Sequence, residues 1–261
     1  MASQTYSITQ NGKFEPFEFQ VARGQITFHQ SVTIFGYNDD VDGTLETVWP
    51  HGGILPFLSA PANLSVSSDS ANDTSGGTGA RTVYIEGLDA NHNVISETVT
   101  LNGLTAVSTI NQYLHTNSLY VSSAGSLNGA AGNIYFGTGT VTLGVPANIY
   151  DIIKLDYNIR LTGSYTVPAG YTAYVSQGLF SSGQAGGSNS VTGRLVTRGT
   201  NNIGLTIAIV TLNNGSADYV FEYPRAVPEK TTIEAQAFGS STNNACSSMF
   251  ILVLVKNDGS L

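Results

Sequence analysis

The chain has 261 residues, 29 of them glycine, with charged residues at only 11% and a formal net charge of −8. Ten scattered Lys and Arg exclude a phosphate-binding surface, because nucleic-acid affinity is mostly counterion release by clustered basic residues. The single Cys246 excludes an intramolecular disulfide framework and a Cys-based zinc site, so the chain either folds in a reducing compartment or does not depend on oxidation.

A charged fraction less than half the usual ~25%, with Ser, Thr, Asn and Gly in place of Lys and Glu, predicts an all-β protein. The 13 Tyr and 11 Phe suit pleated sheets better than helical stripes. Met1 to Lys13 shows neither a basic start with an apolar core nor a cleavage motif, so no secretory signal is expected. From Phe17 to Gly36, Ile26, Phe28, Val32 and Ile34 fall at alternate positions and predict one or two strands. Tyr37 to Pro61 is irregular, and a first boundary is expected near residue 60, leaving 1–60 as an N-terminal β arm or small docking domain.

The segment 61–150 reads as a small β-sandwich. Ser70 to Gly79 is a loop of small polar residues with no apolar surface to bury. Val83 and Ile85 then alternate with polar residues, Asp89 to Asn93 supplies a turn, and Ile95, Val99 and Leu101 define the returning strand of a β-hairpin. Glu97 shares the face of Ile95 and Val99, which requires a partly solvated face, a bulge or a different register. Further strands are expected at Leu119 to Val121 and Asn133 to Phe136.

The segment 151–261 reads as a jelly-roll-like sandwich of seven or eight strands. They begin in "GSYTVPAGYTAYVSQGLF" and continue around Leu195, Ile207 and Val220, then in "TTIEAQAF" and "MFILVLV". The strands around Ile207 and Val220 are expected to form a hairpin across Asn213-Asn214-Gly215, since Asn-Gly is the strongest short-range hairpin signal. The apolar run Met249 to Val255 is too short to cross a bilayer as a helix and suits a central strand, so no membrane partner is expected. Two or three antiparallel β domains result.

Motifs with chemical potential are sparse. "NDDVDGTLE" places Asn38, Asp40 and Asp42 like the first ligands of a calcium loop around Gly43, but position twelve is Trp49 where a bidentate Glu is needed. A solvated acidic loop is the expectation, and chelators should leave the fold unchanged. His29, His51, His92 and His115 show no pair at metal-ligand spacing, and His92, at a hairpin tip, is expected to be a solvated turn residue. No G-x-S-x-G elbow supports a catalytic serine. The carboxylate pairs Glu15 with Glu18 and Asp39 with Asp40 are expected to be simply exposed. The glycine-rich stretches at 137–144 and 75–80 lack the lysine and following helix of phosphate loops, and are assigned to hairpin turns and bulges. No catalytic, cofactor-binding or metal residue is therefore assigned, and no enzyme activity is expected.

The blocks "GYNDDVDGTLETVWPHGG", "SANDTSGGTGARTVYIEGLDANHNVISETVTLNG", "NIYFGTGTV" and "GSYTVPAGYTAYV", in that order, resemble a group of virion structural proteins of short-tailed phages of marine bacteria. The resemblance spans roughly residues 32 to 180 and implies a place in the virion, the protein being made in the host cytoplasm. The implied function is capsid decoration or cement; a tail or fibre-associated part is the alternative within that class. It implies as partners the protein itself, with a homotrimer expected by analogy with threefold capsid positions and fibres, and capsid or tail proteins. Docking is expected through the N-terminal portion, with the part after residue 180 projecting. A carbohydrate-binding module or glycan-cleaving spike is a reading from another class. It would use Trp49 and the tyrosines as sugar-stacking aromatics on a host surface glycan, although no β-helix repeat is present.

Overall fold

The computed structural model describes residues 9–10, 13–183 and 190–257. The chain enters through a short antiparallel pair, β1 (Thr9–Gln10) and β2 (Lys13–Phe14), followed by one helical turn and a half, α1 (Phe17–Ala22). The strand expected from Phe17 is thus a helix. Pro16 just before it, with φ at −56°, pre-sets the first turn, and Gln20 is anchored by donating Nε2–H to the Glu15 carbonyl at 2.7 Å. Phe28 has a φ of +65°, which breaks the alternation between Ile26 and Val32, so β3 begins at His29 (His29–Val41).

The remaining strands follow in order. They are β4 (Glu46–Thr47), β5 (Ser65–Ser68), β6 (Ala80–Leu88), β7 (Val94–Thr100), β8 (Val107–Ser108), β9 (His115–Ala124), β10 (Ile134–Thr142) and β11 (Val145–Ile153). After a connecting segment come β12 (Ser164–Thr166), β13 (Tyr171–Gly183), β14 (Val191–Arg198), β15 (Gly204–Leu212), β16 (Gly215–Val227), β17 (Thr232–Gly239) and β18 (Asn244–Lys256). The protein is all-β, built from antiparallel sheets.

Strands β5 to β11 make one sandwich. A four-stranded sheet, β11-β10-β5-β8, faces a three-stranded one, β7-β6-β9. Between them lie Leu64, Val66, Val83, Ile85, Leu119, Ile134, Phe136 and Ile153, all buried. The expected β6–β7 hairpin forms, with Thr82 opposite Thr100 through Leu88 opposite Val94 and no bulge.

Strands β3, β4 and β12 to β18 make a jelly roll, which is a long hairpin wrapped over on itself so that the first strand lies beside the last. Here β3 pairs with β18, β12 with β17, β13 with β16 and β14 with β15, every pair antiparallel. The two sheets are β16-β13-β18-β3 and β12-β17-β14-β15, with β4 also on β17. Their shared core includes Ile34, Val41, Val175, Phe180, Leu195, Ile233, Phe250 and Leu252.

Two expectations change. Residues 29–41 and 46–47, placed by the sequence in a segment of their own, are strands of the jelly roll, and the 62–153 sandwich is inserted between its first and second strands. Docking through the N-terminal portion with the C-terminal portion projecting therefore cannot be a contrast between separate bodies, since β3 and β18 are neighbours. The turn at Asn213-Asn214 is present, but β15 and β16 enter different sheets and do not pair. Crossing between sheets lets Ile207 and Val210 on one strand and Tyr219 and Phe221 on the other pack on the same core from opposite sides.

Candidate functional site

The two sandwiches meet around the connecting segment 154–163, and Arg160 ties them. Its Nε–H donates to the Asp151 carboxylate at 2.5 Å, its Nη1–H to the carbonyls of Thr162 (3.1 Å) and Ser164 (2.8 Å), and its Nη2–H to Ser164 Oγ at 2.8 Å. Asp151 also accepts from the hydroxyls of Thr116 and Thr162, both at 2.7 Å. Both charges are buried, and every Asp151 contact has a donor, which is the condition under which a buried ion pair is tolerated. Asn117 adds a two-way bond to Thr166 of β12, at 2.9 and 3.0 Å.

On one side of this junction an aromatic band crosses from one sandwich to the other. Phe35 and Tyr37 project from β3; Tyr157 and Ile159 follow on the connecting segment; Tyr120 and Tyr84 continue it on β9 and β6. The Tyr37 and Tyr157 rings lie 6.0 Å apart, Tyr84 stacks on Tyr120 at 4.9 Å, and Tyr120 bridges to Ile159. Phe35 and Ile159 share a shallow depression with Leu119. Phe35, Tyr120, Tyr157 and Ile159 are each 39% to 49% exposed, so three aromatic rings and an isoleucine face solvent in this band.

On another side, a cleft of about 640 Å³ separates the hairpin tip from the jelly roll, lined by Leu55, Phe57, His92, His115, Arg198, Lys230 and Glu234 among others. Here the structure unites two histidines that sequence spacing keeps apart: the rings of His92 and His115 are 5.4 Å apart. His92 is not a solvated tip residue; its carbonyl accepts from Ala169 N–H at 2.9 Å, docking the turn on the jelly roll. Burial, and then the neighbouring His92, push the His115 pKa down to about 4, so the ring is neutral near pH 7. Burial also lowers His92. Arg198 donates to Glu234 at 3.1 Å and is committed within the sheet. His29 and His51 lie elsewhere, edge-on to Phe17 and Trp49 respectively.

The acidic residues are structural acceptors. In the loop that resembles half a calcium site, Glu46 accepts from Asp42 N–H (3.0 Å), Asn38 Nδ2–H (3.0 Å) and Gly53 N–H (2.8 Å), while Asn38 Oδ1 accepts from Asp40 N–H. Of the three side chains that a cation would need, Asn38 is thus committed to the loop's own groups, while Asp40 and Asp42 enter these bonds through their backbone N–H groups. Asp39, expected to be simply exposed beside Asp40, pairs with Lys154 at 2.6 Å across the junction, and Glu15 pairs with Arg23. Glu97 accepts from the N–H groups of Ile110 and Asn111, both at 2.9 Å, and from the Tyr113 hydroxyl, so of the options open in sequence the partly solvated face holds. Among the described residues no group of three or more His, Cys, Asp or Glu could hold a metal. Trp49 is 1% exposed and donates Nε1–H to the Gly53 carbonyl, so it offers no face to a sugar; that support for a glycan-binding reading is removed. Cys246 is buried, which pushes its thiol pKa up to about 12. No helix among the described residues is long and apolar enough to cross a membrane.

The residues that sequence reasoning missed are Arg160 and Asp151, and the aromatic band. Arg160 and Asp151 are only nine residues apart, but their further partners Thr116 and Asn117, like the members of the band, come from positions 35 or more residues away, and no local spacing signals that.

No protein-family model and no curated protein matches the chain. Among solved structures, the VP2 subviral particle of infectious bursal disease virus is similar at 11% identity, over 88% of this chain and 72% of that one, with a TM-score of 0.23. The structure of the Gx strain of the same virus gives 12% identity over 89% and 73%, at a TM-score of 0.23. That of the Gt strain gives 12% over 94% and 79%, at 0.21. At scores this low nothing about the function of this chain follows from them.

Proposed function

We propose that the protein is a non-enzymatic structural component of a phage virion that decorates or cements the capsid as a homo-oligomer. The observation that carries this reading is the aromatic band across the sandwich junction. Two β bodies locked by a buried ion pair present one continuous, rigid, partly apolar face, which suits a fixed contact with a shell and needs no ordering on docking. The jelly roll supports it, since that architecture serves in capsid shells, although it also serves in lectins. The sequence blocks that resemble virion proteins of short-tailed phages support it independently. The trimer belongs to the proposal by analogy with threefold capsid positions.

In this reading the junction band lies against the capsid, and the β15–β16 side of the jelly roll turns away from it. A side-chain-resolution map of the particle tests it. Expected is density for the chain on the outer shell with Phe35, Tyr120 and Ile159 at the contact. Density confined to the tail or fibres, or a shell contact made through other faces, would sink it.

A further inference from the structure

The jelly roll is closed on one side and open on the other. On the closed side, the connecting segment and the loop after β4 stitch the sheets together. Tyr37 N–H donates to the Leu161 carbonyl at 3.0 Å, Gly163 N–H to Val48 at 2.9 Å and Val48 N–H to Ala235 at 2.9 Å. On the open side β15 and β16, the last strands of their sheets, diverge from the Asn213-Asn214 turn. Neither has a strand partner along its outer edge among the described residues. Between them runs a groove of about 620 Å³ whose walls include Ile203, Leu205, Ile207 and Tyr223. On the rim, Leu205, Ile209 and Val220 are 62% to 68% exposed and Tyr223 is 82% exposed.

The two edges are defended differently. Strand β16 carries Pro224, charges at Asp218, Glu222 and Arg225, and an irregularity in which residues 221–224 loop out between Val220 and Arg225. Those are the devices that keep an edge from pairing. Strand β15 carries only a one-residue irregularity, at Ile207, and otherwise has none of them: "GLTIAIVTL" contains no charge and no proline, and five of its nine residues are β-branched. Left bare, such an edge is a template for association with another chain.

We infer that this rim is the self-association surface of the protein, covered by a second copy of the same chain. Charge chooses that occupant. The chain has a net charge of −8, yet β15 has no charged residue, so copies meet there without opposing like charges. Glu222 and Arg225 are exposed, three residues apart, and among the described residues neither makes an ion pair or a side-chain hydrogen bond. Around a cyclic axis along the rim, each copy's Glu222 meets the next copy's Arg225, and the ring closes with these two charges paired. Tyr223, between them, supplies the aromatic anchor typical of an interface centre.

The inference rests on the self-association part of the proposed function and is independent of where in a particle the protein sits. The test uses the purified full chain without particles, by light scattering and sedimentation over a concentration series. Expected is a cyclic oligomer, about three times 27.4 kDa for the trimer. Ile209→Glu and Leu205→Lys, both at exposed positions, should weaken association at least about tenfold with an unchanged circular-dichroism spectrum. If either variant misfolds, the other carries the test. Glu222→Arg alone should also weaken association, and adding Arg225→Glu should restore it, which a merely structural role for either residue would not produce. A wild-type monomer at about 100 µM would overturn the inference, as would variants that associate unchanged or a double charge reversal that fails to restore. Such a result, alongside a particle map with the protein on the shell, would sink this surface and leave the proposed function standing.

Discussion

Asp73 shows what a loop without apolar surface can be for. Fully buried, it accepts from the N–H groups of Ala80 and Ala131 through Oδ1, and from Gly132 N–H and the Ser68 hydroxyl through Oδ2, at 2.6 to 3.0 Å. It pins the Ser70 to Gly79 loop to the segment before β10. Asp73→Ala strands buried backbone donors and is expected to destabilise by about 3–5 kcal/mol, read by urea unfolding. His115 carries a second prediction. Unfolded, its pKa is 6.5; folded, it is about 4, so below 6.5 the unfolded chain binds the proton first. The stability that the neutral ring contributes is full above pH 6.5 and is lost as pH falls toward 4, by up to roughly 3 kcal/mol. His115→Asn should flatten the difference in stability between pH 7 and pH 4.5; an identical slope in both proteins would refute it. None of these roles shows in residue type alone, because each carboxylate or ring is defined by donors brought from distant segments.

Among elements, the loop after β3 and the crossing at Gly36 are the most exposed to test. Glu46 closes the acidic loop through Asp42, Asn38 and Gly53, so a calcium chelator is expected to leave the melting temperature unchanged while Glu46→Ala lowers it. A chelator-induced drop would show that the loop has another ligand set. At Gly36, a Cβ would lie 2.6 Å from the Val48 carbonyl oxygen and 2.8 Å from Gly163 Cα, both backbone atoms that cannot swing aside. Gly36→Ala should therefore cost about 1–3 kcal/mol by thermal unfolding, and an unchanged midpoint would contradict the packing. Strand identity was legible where period two ran, as in β6 and, apart from Glu97, β7, and where an apolar run was short, as in β18. It failed at Phe17 to Phe28, where a six-residue helix and a positive φ interrupt a pattern that looks strand-like. The β15–β16 turn was also legible, but whether its strands pair was not, since the same turn serves a hairpin or a corner between sheets.

At the scale of the molecule, the buried Arg160–Asp151 pair decides how the sandwiches act together. Arg160→Met leaves Asp151 buried without its counter-charge and is expected to cost about 3–5 kcal/mol and to loosen the junction, seen as new proteolytic cleavage between residues 154 and 163. Cleavage unchanged from wild type would mean that other contacts hold the two bodies. For the proposed capsid contact, Phe35→Glu and Ile159→Lys should abolish incorporation into particles without lowering the melting temperature, because both side chains are half exposed. Incorporation at wild-type levels would remove the aromatic band from the proposed function.

Composition and alternation by themselves determined the all-β class, the β6–β7 hairpin and the jelly-roll-like count of strands near the C-terminus, because low charge, abundant glycine and period two are local properties of a chain. Only the tertiary structure decided that β3 is the first strand of that jelly roll and that the smaller sandwich is inserted into it. It also brought His92 to His115 and Arg160 to Asp151. The reason is physical: a strand's face is written in its own sequence, but its neighbour is chosen by which distant edge completes the sheet and buries the core.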